Sequence, residues 1–159
     1  MPLLTIEQCR RQCRVDGDYD DVILDDLLAS AEDAAGAFLN RMIFADQNAL
    51  DASWSALPDA AAASALAHAE ALVAAAAEAD PTKAKALVAV ADERLAAHSH
   101  DQEMMLSGVV ANGSILAAIR LTLGHLYANR EEVVIGATAA ELPMGAKALL
   151  RPYRKVMGP

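Results

Sequence analysis

Residues 20–42, DDVILDDLLASAEDAAGAFLNRM, decide the fold. Leu24, Leu27, Leu28, Ala31, Ala35, Phe38 and Leu39 recur at three- and four-residue spacing, which gathers them on one side of a helix and turns the carboxylates outward. Asp20 or Asp21 is suited to cap this helix, and the pattern lasts to about Met42. A helix with one apolar side must lay it against other elements, and the remaining sequence offers mainly helices. The expectation is an all-α fold: a small helical bundle with an inserted Ala-rich α-hairpin and an extended C-terminal tail.

Upstream, Thr5 and Gln8 form a capping-box pattern that starts a short helix ending near Arg14, and Asp16-Gly17-Asp18-Tyr19 supplies a turn. Downstream, Ala45 to Pro58 loses periodicity and is expected to be a loop that pins Trp54 to the core surface. Asp59 to Ala79 is uniformly helix-forming. Asp80-Pro81 stops it and opens a second helix through Leu87, Val88, Ala91 and Leu95 to about His98. Such a hairpin, packed through methyl groups, has a thin apolar seam and is expected to loosen first. A polar joint at Ser99 to Gln102 precedes helical sequence from Met104 to Ala128, broken near Asn112-Gly113 with Ser114 as cap. Glu131 to Ala140 reads as loop or short strand, Ala146 to Leu150 as a last helix, and Pro152 to Pro159 as a tail that orders on a neighbour. The chain is thus expected to form a single domain, 1–159, with 45–105 as the helical insertion and 152–159 as the docking tail.

Composition narrows the function. The chain has 159 residues, and alanine is about a quarter of them, which favours close-packed helices. Its formal charge of −9 argues against a surface that grips phosphate backbone. That charge is uneven: residues 1–50 carry four basic and ten acidic groups, 51–105 three and nine, and 106–159 six and three. Opposite ends of this kind suit head-to-tail contact between copies. No apolar run reaches the ~18 residues a bilayer span needs, and the Met1-Pro2-Leu3 start carries no basic leader, so a soluble, unexported chain without membrane contact is expected.

The sequence carries no recognised catalytic or metal-binding arrangement. Cys9 and Cys13, four apart on one helix, lack disulfide geometry and are expected to be free thiols in a reducing compartment. The Asp16, Asp18, Asp20 run fails as a calcium loop because Asp21 stands where glycine belongs and Leu27 where the bidentate glutamate belongs. His98 and His100 lack partners at metal-ligand spacing. With no nucleophile elbow, phosphate-cradling loop or dinucleotide fingerprint, no enzymatic activity, metal or cofactor is expected.

Two blocks resemble the phage head-tail connector family, also called head-completion adaptors. The first is Cys13-Arg14-Val15-Asp16, then Asp20-Asp21, Leu24, Leu27-Leu28-Ala29, Ala31, Ala34 and Phe38-Leu39-Asn40-Arg41. The second is His125-Leu126-Tyr127-Ala128-Asn129-Arg130-Glu131, then Glu141-Leu142-Pro143-Met144-Gly145 and Leu149-Leu150-Arg151-Pro152-Tyr153-Arg154. The Ala-rich middle departs from that pattern. The resemblance implies a structural adaptor that forms a homo-oligomeric ring of about 12 copies beneath the portal protein. Such a ring extends the DNA channel without sequence-specific binding and docks a tail-side stopper or tail terminator protein. It also implies a place in the virion neck after assembly in the host bacterial cytoplasm. A dozen copies would carry about −108 of charge, which repels the duplex and lets it slide.

Interface residues expected on this reading are Arg14, Asp16, Arg130, Glu141, Pro143, Arg151, Tyr153 and Arg154. Arg130 can reach a carboxylate, with Glu141 and Asp16 as candidates; Pro143 aims the last helix; Tyr153 between two arginines is the kind of cluster that anchors interfaces. The alternative is a helical scaffolding or regulatory module that binds a partner through the same basic cluster without a ring.

Overall fold

The computed structural model describes residues 2–129, 133–134, 137–138 and 143–156. Its helices are α1 (Ile6–Cys13), α2 (Asp21–Leu39), α3 (Gln47–Ala76), α4 (Pro81–Leu106), α5 (Gly113–Ala128) and α6 (Met144–Leu150), with a 3-10 turn at Arg151–Tyr153. Among the described residues, strand structure is confined to two-residue pairs. β1 (Ile43–Phe44) runs parallel to β2 (Val109–Val110), and β3 (Val133–Val134) antiparallel to β4 (Ala137–Thr138). The fold is all-α. The chain divides into two compact units, one of residues 1–47 and 108–159, the other Asn48–Ser107.

In the first unit, α5 packs against α1, α2 and α6. Its buried face, Ile115, Ala118, Ile119, Thr122 and Leu123, meets Leu24, Leu28, Ala31, Ala35 and Leu39 of α2, Cys9 of α1, and Ala146 and Leu150 of α6. The stripe read from residues 20–42 is therefore the face that α2 buries, with Leu27 and Phe38 at its edge. Thr122, the one polar side chain among the described residues that is buried with them, returns its hydroxyl to the Ala118 carbonyl at 3.0 Å, so its donor is not stranded. The Thr5–Gln8 capping box starts α1 as read. α2 ends on Asn40 in the left-handed region (φ 53°), sooner than the Met42 expected, because the chain must turn there into β1.

The pairing of Ile43 with Val109 and of Phe44 with Val110 sets the chain's departure into residues 48–107 beside its return. Within that second unit the loop expected over Ala45–Pro58 is helix instead: α3 passes through Pro58. Trp54 and Pro58 are both exposed, so the carbonyl that proline cannot bond lies on a solvent-facing side, which makes the interruption tolerable. Trp54 is held within its own hairpin, its indole Nε1 donating to the Met105 carbonyl at 3.1 Å.

Asp80 and Pro81 start α4 as read, the Asp80 carboxylate accepting from the amides of Thr82 (2.8 Å) and Lys83 (3.4 Å). The joint expected at Ser99–Gln102 is absent. Ser99 returns its hydroxyl to Leu95 and Gln102 reaches Ser64, so the polar residues are satisfied without a break. The break falls at Ser107–Asn112, and the cap of α5 is Asn112 rather than Ser114; its Oδ1 accepts from the Ser114 and Ile115 amides at 3.0 and 3.1 Å. α4 turns back along α3, joined by His68–Asp92 at 2.9 Å and Gln102–Ser64 at 3.5 Å.

Because the first unit is organised around α5, Leu123→Ala should lower its stability by about 3 kcal/mol, read as a lowered denaturant midpoint. The exposed Leu121→Ala on the same helix should change it by less than about 0.5 kcal/mol.

Candidate functional site

Two seats on the first unit gather its specific polar contacts. At the first, α1 and α2 are tied by a two-pronged ion pair: Arg10 Nε donates to Asp21 Oδ1 at 2.7 Å and Nη2 donates to Oδ2. The hydrogen bond from Arg10 holds the Asp21 carboxyl below the usual aspartate range, and the same bond raises Arg10. Asp20 precedes α2 without capping it through its side chain. Its carboxylate instead accepts from the Tyr127 hydroxyl at 2.5 Å, joining the start of α2 to the end of α5. Between α1 and α2 the chain passes through Arg14 (φ 56°) and Gly17 (φ 85°), both left-handed. That geometry turns Arg14, Asp16 and Asp18 into an exposed rim.

At the second seat, the segment after α6 is fastened to the end of α2. Lys155 donates its amide to the Leu39 carbonyl at 2.9 Å, occupying an acceptor that a helix end leaves open. Asn40 Nδ2 donates to the Lys155 carbonyl at 3.1 Å. Arg41 reaches two backbones at once, Nη1 donating to the Tyr153 carbonyl at 3.2 Å and Nη2 to the Gly108 carbonyl at 3.4 Å. Arg154 lies over the Phe38 ring, 5.1 Å from its centroid. Arg151 and Lys155 remain exposed beside this clasp.

The expected interface residues therefore fall into groups. Arg14 and Asp16 share the acidic turn; Arg151, Tyr153 and Arg154 share the C-terminal seat, where Tyr153 is half-buried against the core. Pro143 immediately precedes α6. Arg130 and Glu141 lie outside the described residues, as do residues 157–159 of the tail. The tail expected over 152–159 to order by docking on a neighbour begins on its own chain. Residues 153–155 are seated on the same chain because the end of α2 presents open carbonyls and an aromatic ring to them. Sequence reading misses Arg41, Asn40 and the Asp20–Tyr127 bond. Asparagine followed by arginine directly after an apolar stripe is the available signal, a left-handed helix end beside a long donor.

A hollow of about 320 Å³ is lined by Gln8, Arg11, Gln12 and Arg120. A second, bordered by Asp25 and Glu32, contains the only paired acids among these two hollows, and Glu32 Oε1 there accepts from the Leu3 amide at 2.6 Å. Burial pushes the Glu32 carboxyl upward and the Leu3 amide opposes that, so it tethers the N-terminal segment. Burial, with smaller contributions from Cys13 and Asp25, pushes the Cys9 thiol up to about 11, the opposite of an activated nucleophile. Among the described residues there is no group of three His, Cys, Asp or Glu able to hold a metal ion, and no helix is long and apolar enough to cross a membrane.

The model of the family described as phage gp6-like head-tail connector protein matches residues 4–92. That range takes in α1, α2, β1, α3 and the first part of α4, and leaves out the second block of resemblance. The comparisons with curated proteins and with solved structures gave no match.

Arg41→Ala should cost about 2 kcal/mol, because two backbone carbonyls lose a charged donor, and should open the segment after α6 to trypsin at Arg154 and Lys155 in limited proteolysis. The Arg10–Asp21 pair stabilises the fold above the ordinary aspartate pKa of about 3.9, and that share fades as the pH falls through the depressed folded value. Asp21→Asn should therefore lower the melting temperature at pH 7 and flatten the acid limb of the stability profile.

Proposed function

The chain belongs to the phage gp6-like head-tail connector family, and from that premise we propose that it is a non-enzymatic adaptor of the virion neck. On this reading about a dozen copies close into a ring between the portal protein and a tail-side stopper or terminator. The ring extends the channel through which genomic DNA passes, and assembly takes place in the host bacterial cytoplasm. The observation that carries the reading is the family match itself, which runs through α1, α2 and α3.

Charge supports it. Residues 106–159 hold six basic and three acidic groups, against four and ten in residues 1–50, so each copy has a cationic segment and an acidic one to offer its neighbours. The clasp at Arg41 gives the cationic segment a fixed base. Arg151 and Lys155 are presented from a seated 3-10 turn and the anchored segment that follows it, which lowers the entropy lost when they dock. Net negative charge, repeated around a channel, keeps the duplex from sticking to its wall.

Arg151→Glu combined with Lys155→Glu should leave helicity and melting temperature unchanged and weaken association with the portal protein about tenfold in a pull-down at low salt. Unchanged association would remove these residues from the portal surface. Particles lacking the chain should accumulate as filled heads without tails in electron micrographs; normal tailed particles would overturn the connector reading.

A further inference from the structure

The hairpin of α3 and α4 leaves more apolar surface outside than its own seam needs. That seam uses Leu50, Leu57 and Ala75 on α3 and Ala91 on α4, all buried. On the far side of α3, Asp59, Ala63, Leu66 and Glu70 are exposed and follow an i, i+4, i+7, i+11 progression, which keeps them in one line along the helix. On the flank of α4, Lys83, Leu87, Val90 and Arg94 are exposed and follow the same progression. Leu66 is 62% exposed, Leu87 44% and Val90 48%. None of the four charged side chains meets a partner among the described residues.

These two lines match each other. Each has apolar or methyl groups in the middle and charges eleven residues apart at its ends, about 16 Å along the helix, and the charges are acidic on one and basic on the other. They lie on different faces of one hairpin, so one chain cannot bring them together. We propose that the outer line of α3 is the docking surface for the α4 flank of a second copy of this chain. When two hairpins lie side by side pointing the same way, α3 of one runs antiparallel to α4 of the next. Asp59 then faces Arg94, Ala63 faces Val90, Leu66 faces Leu87 and Glu70 faces Lys83. The spacing is that of a coiled-coil seam, with the alanine allowing close approach. Exposed ion pairs contribute little affinity, and here they set direction and register. Each copy donates one face and receives on another, so the contact repeats and can close. This rests on the ring reading above and gives it a specific interface within residues 48–107.

The test uses the full chain carrying Cys13→Ser, since Cys9 is buried. A Leu66→Cys copy is mixed with a Leu87→Cys copy and oxidised. The 66–87 disulfide should exceed the 66–66 and 87–87 products about tenfold. Asp59→Lys with Glu70→Lys, or Lys83→Glu with Arg94→Glu, should each remove that preference when present in both copies. Mixing one reversed copy with the other should restore it, because acidic and basic lines then alternate. Equal yields of the three disulfides, or a preference that survives charge reversal, would overturn the proposal. The same chains are added to heads lacking the protein and scored for tail attachment. Attachment without the 66–87 preference sinks this interface and leaves the connector reading standing; the preference without attachment does the reverse.

Discussion

Burial of α5 is the constraint on which the first unit depends. α1 and α2 are joined by a short turn and tied by Arg10 and Asp21, but α2 alone has nowhere to put Leu24, Leu28, Ala31, Ala35 and Leu39. The helix that covers them begins at Gly113, more than seventy residues after α2 ends. Closing so long a loop costs entropy that grows only slowly with its length, and the burial of α5 on three sides offsets it. The parallel pairing of β1 with β2 then sets the two ends of the excursion side by side, so residues 48–107 can form their own unit without disturbing that core.

Arg41 extends this logic to the C-terminus. One guanidinium donates to the backbone where the chain returns, at Gly108, and to the backbone of the final segment, at Tyr153. Three stretches far apart in sequence are thereby held by one planar group whose several donors suit fixed carbonyls better than a lysine could. On the proposed reading, a rigid base for the exposed cations beside this clasp would hold them ready rather than leave them to be collected at docking.

The hairpin follows different physics. Alanine on its inner faces gives a seam of methyl groups, with Ala75 and Ala91 fully buried while Leu66, Val73, Leu87 and Val90 stay outside. A lone hairpin of this kind buries little apolar area per residue, and its stability rises when its outer lines are covered. Those exposed apolar lines are what the proposed contact between copies would cover.

Local chemistry is legible in the amino-acid order alone. The stripe of α2, the Thr5–Gln8 box, the Asp80-Pro81 start of α4 and the all-α class follow from periodicity and caps, which depend on neighbours a few residues apart. The resemblance in residues 13–41 likewise stands within the family match. Other features are not readable that way. Pro58 and the polar Ser99–Gln102 stretch look like breaks, yet solvent exposure and side-chain partners let the helices continue, and exposure is not local information. The seat of the final residues on Leu39, Asn40 and Arg41, and the Tyr127–Asp20 bond, join groups more than a hundred residues apart. Sequence by itself determined the all-α class, the apolar stripe of α2 and the starts of α1 and α4, because each rests on residues a few positions apart. Tertiary structure decided which apolar sides meet and which polar groups fasten them, because both depend on distances that only the packed chain creates.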